Sequence, residues 1–214
     1  MNIMMINPLI EQYAEQHTSK DNALLHTIYR ETHLEVLRPQ MLSGQTQGRF
    51  LAMLSQMIRP QTILEIGTYT GYSTLCLAEG LRAEGVIYTI DKNEELETRV
   101  KGYFAKSKYA TQIKYLVGNA VDIVPTLDEK FDLVFIDADK KNYSFYYDQV
   151  FERIKPGGFI LVDNVLWYGK VIDTQKKDED TEAIRKFNEK VNQDYRVENV
   201  ILTIRDGLML VRKL

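Results

Sequence analysis

The sequence predicts an α/β fold, a doubly wound and mostly parallel sheet entered through an N-terminal helical prelude. Three observations predict it. From Thr62 onward, short apolar runs alternate with stretches of helical periodicity, the pattern of a parallel sheet with helices on both faces. Residues 131–136 form an apolar run, as a strand buried on both faces requires, and then break into Asp137-Ala138-Asp139-Lys140. A glycine turn, Gly67 to Gly71, follows the first strand directly. Open sheets of this kind bind ligands beyond the carboxyl ends of their strands, so chemistry is expected where these runs end.

The chain of 214 residues is 44% hydrophobic, enough for one compact domain spanning 1–214, with residues 1–60 as the prelude. Residues 7–17 and 21–37 read as two helices joined by Thr18-Ser19-Lys20-Asp21, and Leu24, Leu25, Ile28 and Tyr29 recur at helical spacing in the second. Pro39 ends that helix by pushing Arg38 out of helical geometry. After the loop Met41-Leu42-Ser43-Gly44, a third helix carries Phe50, Leu51, Leu54, Met57 and Ile58 on one face. Strands are then expected at residues 62–66, 86–90, 113–117, 131–136 and 157–163. Helices are expected at residues 94–106 and 181–192, besides the one after the glycine turn. Two final strands, 196–203 and 208–212, flank Asp206-Gly207 at the spacing of an antiparallel hairpin. The lysine- and aspartate-rich residues 168–180 lack apolar periodicity and are expected to be the most mobile.

Net charge is −3 with both signs interspersed, which offers no broad basic field for DNA or a membrane surface. The single cysteine, Cys76, has no partner for an intramolecular disulfide, and no Cys/His cluster has zinc spacing. The amino terminus lacks a basic segment, a long apolar core and a small-residue cleavage site, and no stretch approaches a membrane span. A soluble, unexported, cytoplasmic protein is expected.

At the first strand end, Gly67 and Gly71 let backbone approach a ligand, and the helix that follows presents amide donors. Their Gly-x-x-x-Gly spacing is not the dinucleotide pattern Gly-x-Gly-x-x-Gly. Asp91, ending the second strand, is placed to accept from ribose hydroxyls. Glu65 beside the turn would repel a pyrophosphate but suits an ammonium and a sulfonium, which favours S-adenosylmethionine over NAD. Ser73 could donate to a ligand carboxylate. Each residue also has a purely structural reading as a turn or helix cap, and it is their order along the chain that favours an adenosyl ligand.

Asp137, Asp163 and Asn164 offer two carboxylates and an amide oxygen, hard donors that select Mg2+, Mn2+ or Ca2+ over zinc. Three protein ligands would leave about three octahedral positions for two vicinal substrate oxygens and a water. Lys140 lies just beyond; beside a divalent cation a lysine is discouraged from carrying its own charge and could accept a phenolic proton. Lys141 competes for that role, and Asp139 could replace Asp137 as ligand or pair with either lysine.

Three runs resemble the cation-dependent O-methyltransferases, the group of caffeoyl-CoA and catechol O-methyltransferases. They are Leu64-Glu65-Ile66-Gly67-Thr68-Tyr69-Thr70-Gly71-Tyr72-Ser73, Phe135-Ile136-Asp137-Ala138-Asp139-Lys140-Lys141-Asn142-Tyr143 and Asp163-Asn164-Val165-Leu166-Trp167-Tyr168-Gly169-Lys170-Val171. The resemblance extends from about Pro39 to Leu208. It implies a seven-stranded class I methyltransferase sheet whose last hairpin supplies the one antiparallel strand. It implies Asp137, Asp163 and Asn164 as metal ligands, with Lys140 as catalytic base acting beside Asp137. It puts Ser43, Glu65, Gly67, Thr68, Ser73, Asp91, Ala120 and Asp137 around S-adenosylmethionine, and Trp167 and Tyr168 on the acceptor side. Methyl transfer to a hydroxyl of a vicinal-diol aromatic small molecule by a homodimer is the reaction this implies. Methylation of a hydroxylated tRNA uridine and a non-catalytic adenosyl-binding module are the alternatives.

Overall fold

The computed structural model describes residues 7–214. Three helices come first: α1 (Pro8–Gln16), α2 (Ala23–Glu35) and α3 (Gly44–Ile58). Asn7 and Asn22 cap the first two, each accepting from backbone N–H groups of the opening turn. The large apolar residues of α3 do not form its buried face. Leu51 is buried, but its neighbours inside are Gln47, Gly48, Ala52 and Ser55, while Met57 is exposed. The reason is close packing on the helix after the glycine turn, α4 (Tyr72–Ala78): a Cβ on Gly48 would fall 2.6 Å from the Tyr72 ring, and Ser55 Oγ donates to Leu77 O at 2.6 Å. Small residues let the two backbones approach.

The sheet follows, with β1 (Thr62–Ile66), β2 (Val86–Asp91), β3 (Ile113–Val117), β4 (Phe131–Ile136), β5 (Ile154–Asp163), β6 (Val197–Leu202) and β7 (Leu208–Lys213). Their spatial order is β3-β2-β1-β4-β5-β7-β6. β7 runs antiparallel to both of its neighbours, as the hairpin signal predicts, and the other pairings are parallel. The helices between strands are α5 (Glu97–Ala105), α6 (Ala120–Ile123), α7 (Tyr143–Phe151) and α8 (Glu179–Asn192). Two of these, α6 and α7, carry no expectation above, although Tyr143, Tyr146, Tyr147 and Val150 have helical spacing and are all buried. Residues 168–180 are less loose than their composition suggests, because Arg185 on α8 donates to the carbonyls of Lys170, Val171, Asp173 and Lys176. No helix among the described residues is long and apolar enough to cross a membrane.

Strand alternation sorts the core into two layers. Leu64, Ile66, Tyr88, Ile90, Val134, Ile136, Ile160 and Val162 face α7 and α8; Ile63, Ile87, Leu133, Phe135 and Leu161 face α2, α3 and α4. Glu65 shares the parity of Ile63, so its side chain enters the second layer and is wholly buried. Three hydroxyls meet it there: Ser73 Oγ and Thr89 Oγ1 each donate at 2.6 Å, and Thr74 Oγ1 also donates. Thr89 is its register partner on β2, and Ser73 and Thr74 open α4.

Loss of hydration pushes the Glu65 carboxyl up to about 7, the hydroxyls opposing that rise only in part. A raised folded-state value means that the stability Glu65 lends is complete below its unfolded value of about 4.5 and is lost as pH climbs through about 7. Glu65→Gln removes this titration, so between pH 4.5 and 8 the variant should lose less stability than the wild type. The difference should be on the order of 3 kcal/mol by denaturant titration at a series of pH values.

Candidate active site

Chain order reverses between β1 and β4, and a cleft of about 590 Å³ opens over the carboxyl ends of the strands around that switch point. Gly67 makes the junction possible. Its φ is +105°, and a Cβ there would lie 1.8 Å from the Asp137 carbonyl oxygen, so only glycine lets the two strand ends touch. Gly67 N donates to Ile90 O at 2.9 Å and Asp137 N to Ile66 O at 2.8 Å, which carries the sheet hydrogen bonding up to the cleft floor.

On one side of the floor, Asp91 holds the glycine turn in place: Oδ2 accepts from Tyr69 N at 2.6 Å and Oδ1 from Asn93 N at 2.9 Å. Thr68 turns its hydroxyl inward to Thr89, 2.5 Å away. Ala120 opens α6 just past Gly118-Asn119, and Ser73 and Ser43 complete this wall, both almost fully buried. Glu65 is the one predicted site residue that does not line the cleft; it backs Ser73 instead.

On the other side, parallel pairing of β4 with β5 brings Asp137, Asp163 and Asn164 together. Lys140 is the centre of that group. Its Nζ donates to Asn164 Oδ1 at 2.8 Å, to Asp137 Oδ1 at 3.2 Å and to Tyr143 Oη at 2.6 Å, while the Tyr143 hydroxyl donates to Asp163 O at 2.8 Å. Asp163 Oδ2 accepts from the buried Gln47 Nε2 at 2.8 Å. Burial, followed by the charge of Asp137, pushes the Asp163 carboxyl up to about 6. Lys141 lies on the surface with Glu179, and Asp139 accepts from Tyr146 Oη and Asn142 Nδ2 at the entry to α7. Trp167 and Tyr168 cover the far wall, and Tyr168 is largely exposed.

The oxygens suit a hard divalent cation. Among the described residues no three His, Cys, Asp or Glu side chains converge, so such an ion would take Asn164 Oδ1 as its third donor with Asp137 and Asp163. The Lys140 ammonium is a monovalent stand-in: it shows that Asp137 Oδ1 and Asn164 Oδ1 already point at one cationic position. The buried Asp163 carboxylate, with the half-buried Asp137 charge beside it, gains from a second positive charge, so the residues fit the ion.

Sequence reasoning did not single out Gln47, Thr74, Thr89, Tyr143, Arg205 or Asp206 for roles here. Tyr143 stands three residues after Lys140, one helical turn, and could have been found from that spacing. Gln47 and Arg205 have no local signal, because their partners are more than a hundred residues away.

Residues 15–214 match the family model described as O-methyltransferase. The catechol O-methyltransferase of Niastella koreensis is 32% identical over 187 residues, covering 86% of this chain and 84% of that protein. The caffeoyl-CoA O-methyltransferase of Populus kitakamiensis is 33% identical, covering 81% of this chain and 80% of that protein. Among solved structures, the O-methyltransferase TomG from Streptomyces achromogenes in complex with SAM superposes with a TM-score of 0.89 at 28% identity, covering 96% of each chain. The three motifs, the β7 topology and the oxygen cluster therefore have one explanation: this chain belongs to the O-methyltransferase family.

Proposed function

We propose that the protein transfers the methyl group of S-adenosylmethionine to one hydroxyl of a vicinal-diol aromatic small molecule, with a divalent cation, Mg2+ first among Mg2+, Mn2+ and Ca2+, held by Asp137, Asp163 and Asn164. The observation that carries this reading is the position of Lys140: an amine held between the Asp137 carboxylate and the Asn164 amide oxygen, in the same cleft as a glycine turn and the Asp91 carboxylate. The glycine-turn side suits the adenosyl half. Asp91 can accept from ribose hydroxyls, and Ser73, oriented by the buried Glu65 carboxylate, faces the ligand's amino-acid end.

When bound, the cation would acidify the hydroxyl it touches and orient the diol. With the cation in the place the Lys140 ammonium now holds beside Asp137 Oδ1 and Asn164 Oδ1, Lys140 would be favoured as the neutral amine and in that form would take the hydroxyl's proton. Tyr143 fixes Nζ in place, since its own hydroxyl proton is committed to Asp163 O and its oxygen is left as an acceptor. Trp167 and Tyr168 offer aromatic faces to the acceptor ring and help keep water from the reacting oxygen. Methyl transfer needs no covalent enzyme intermediate, so positioning supplies most of the rate.

A homodimer is part of the proposal, and α1 and α3 support it. α1 has no buried residue, and Leu9, Ile10 and Tyr13 on it and Met53 and Met57 on α3 are all exposed, an apolar surface a second copy would cover. Light scattering should return twice the mass of one chain, and a monomer would sink this part.

Asp163→Ala should remove metal-dependent turnover while leaving S-adenosylhomocysteine binding measurable by calorimetry. Full activity in excess chelator would overturn the metal role. The acceptor screen should span catechols, hydroxycinnamoyl thioesters and bulk tRNA, and a product only on tRNA would replace the small-molecule acceptor. Lys140→Gln should lower kcat by about 10²–10⁴-fold with little change in S-adenosylhomocysteine affinity. An unchanged pH–rate profile in that variant would remove Lys140 as the base.

A further inference from the structure

The turn between β6 and β7 grips both walls of the cleft. Arg205 reaches one wall: Nη1 donates to Leu42 O at 2.9 Å, to Ser43 O and to Gln47 Oε1 at 3.2 Å, and Nη2 to Gln40 O at 3.3 Å. That wall, residues 40–43, belongs to no strand, and its backbone contacts are local ones such as Met41 N to Arg38 O at 3.0 Å and Leu42 N to Pro39 O at 3.1 Å. The guanidinium is thus the polar tie of the Ser43 segment to the β6–β7 turn, beside the apolar one made by the buried Leu42.

Asp206 reaches the opposite wall. Its Oδ1 accepts from Tyr168 N at 2.5 Å, its carbonyl from Leu166 N at 3.0 Å, and Gly207 O accepts from Val165 N at 3.1 Å. A Cβ on Gly207 would fall 2.4 Å from Leu166 Cγ, so the turn lies flush against that segment. The grip holds strained backbone: Trp167 and Tyr168 have φ of 49° and 54°, as does Arg205 at 49°. Two polar atoms stay buried and unpaired there, Asp206 Oδ2 and Trp167 Nε1. Strain and unspent hydrogen-bonding capacity are costs that a fold retains where a ligand is clamped.

We propose that Arg205 and Asp206 are positioning residues, Arg205 setting cofactor affinity through residues 40–43 and Asp206 setting acceptor affinity through Trp167 and Tyr168. The assignment rests on the methyl-transfer reading above, but each half has a readout of its own. Arg205→Ala should weaken S-adenosylhomocysteine binding by about tenfold in calorimetry, with Arg205→Lys recovering part of it. Asp206→Ala should change that affinity by less than about twofold and raise KM for 3,4-dihydroxybenzoate, assayed with Mg2+, by about tenfold. Asp206→Asn keeps an oxygen for the Tyr168 N–H and should recover most of the loss. The protein has one tryptophan, Trp167, so its emission reports the acceptor wall directly. It should shift to the red in Asp206→Ala and stay in place in Arg205→Ala.

If wild type turns over no catechol, the methyl-acceptor reading fails, while the S-adenosylhomocysteine affinities and the Trp167 emission still decide this proposal. If the alanine variants do not fold, Arg205→Met and Asp206→Leu, which keep most of the side-chain bulk and remove the hydrogen-bonding groups, carry the same comparisons. The proposal is overturned if both variants move both affinities by the same factor, or if they lower the melting temperature with affinities and emission unchanged. The turn would then be a structural brace alone.

Discussion

The site depends on the contact between the end of β1 and the end of β4, where the Gly67 backbone meets the Asp137 carbonyl with no room for a side-chain carbon. That contact fixes the distance between the two halves of the cleft. The glycine turn and Asp91 descend from β1 and β2, and the Asp137, Asp163 and Asn164 oxygens from β4 and β5, so any extra atom at position 67 would spread the two halves of the cleft apart. Methyl transfer in line tolerates little displacement, since near-attack geometry requires reacting atoms within about 3–3.5 Å.

Around this rigid floor the walls are built from backbone in an unusual state. Among the described residues seven non-glycine positions have positive φ, and six of them, Arg38, Tyr69, Asn164, Trp167, Tyr168 and Arg205, line the cleft. Each such residue costs on the order of 1–3 kcal/mol, which core burial on both faces of a seven-stranded sheet can offset. Asn164 tolerates the left-handed region well, because its short amide can bond locally, whereas Trp167 and Tyr168 gain nothing of the kind. The strain on the acceptor wall is therefore the larger, and it coincides with the segment that the Asp206 carboxylate holds.

Much of this was legible in the sequence. Strand ends could be read because each apolar run stops abruptly at a glycine or a polar residue, and the bounds of β1, β3 and β4 fall where the pattern stops. The clustering of Asp137, Asp163 and Asn164 was legible for the same reason, as they stand at or just past the ends of β4 and β5. Packing faces were less so. On α3, large apolar residues dominate the periodicity, but the face that is buried is set by Gly48, Ala52 and Ser55, whose contribution is closeness and not area. Long-range polar contacts were not legible. Arg205 reads as a turn residue, and nothing local announces that its guanidinium spans to Gln40, Leu42 and Ser43.

Glu65 shows why a strand-end acid and a ligand-binding acid are different things. Side chains within a strand alternate between the two layers, so a residue one position short of the end is committed to a layer, and here that layer is the one under α4. Asp91 and Asp163 are the last residues of their strands, and Asp137 and Asn164 lie one beyond, where the chain is leaving the sheet and a side chain can turn over its edge. Position relative to that last residue thus separates the carboxylates that can meet a ligand from the one that can only support a residue that does. Glu65 keeps its charge-sensitive place behind Ser73, and its three hydroxyl partners are the consequence of alternation on β1 and β2 together with the first turn of α4.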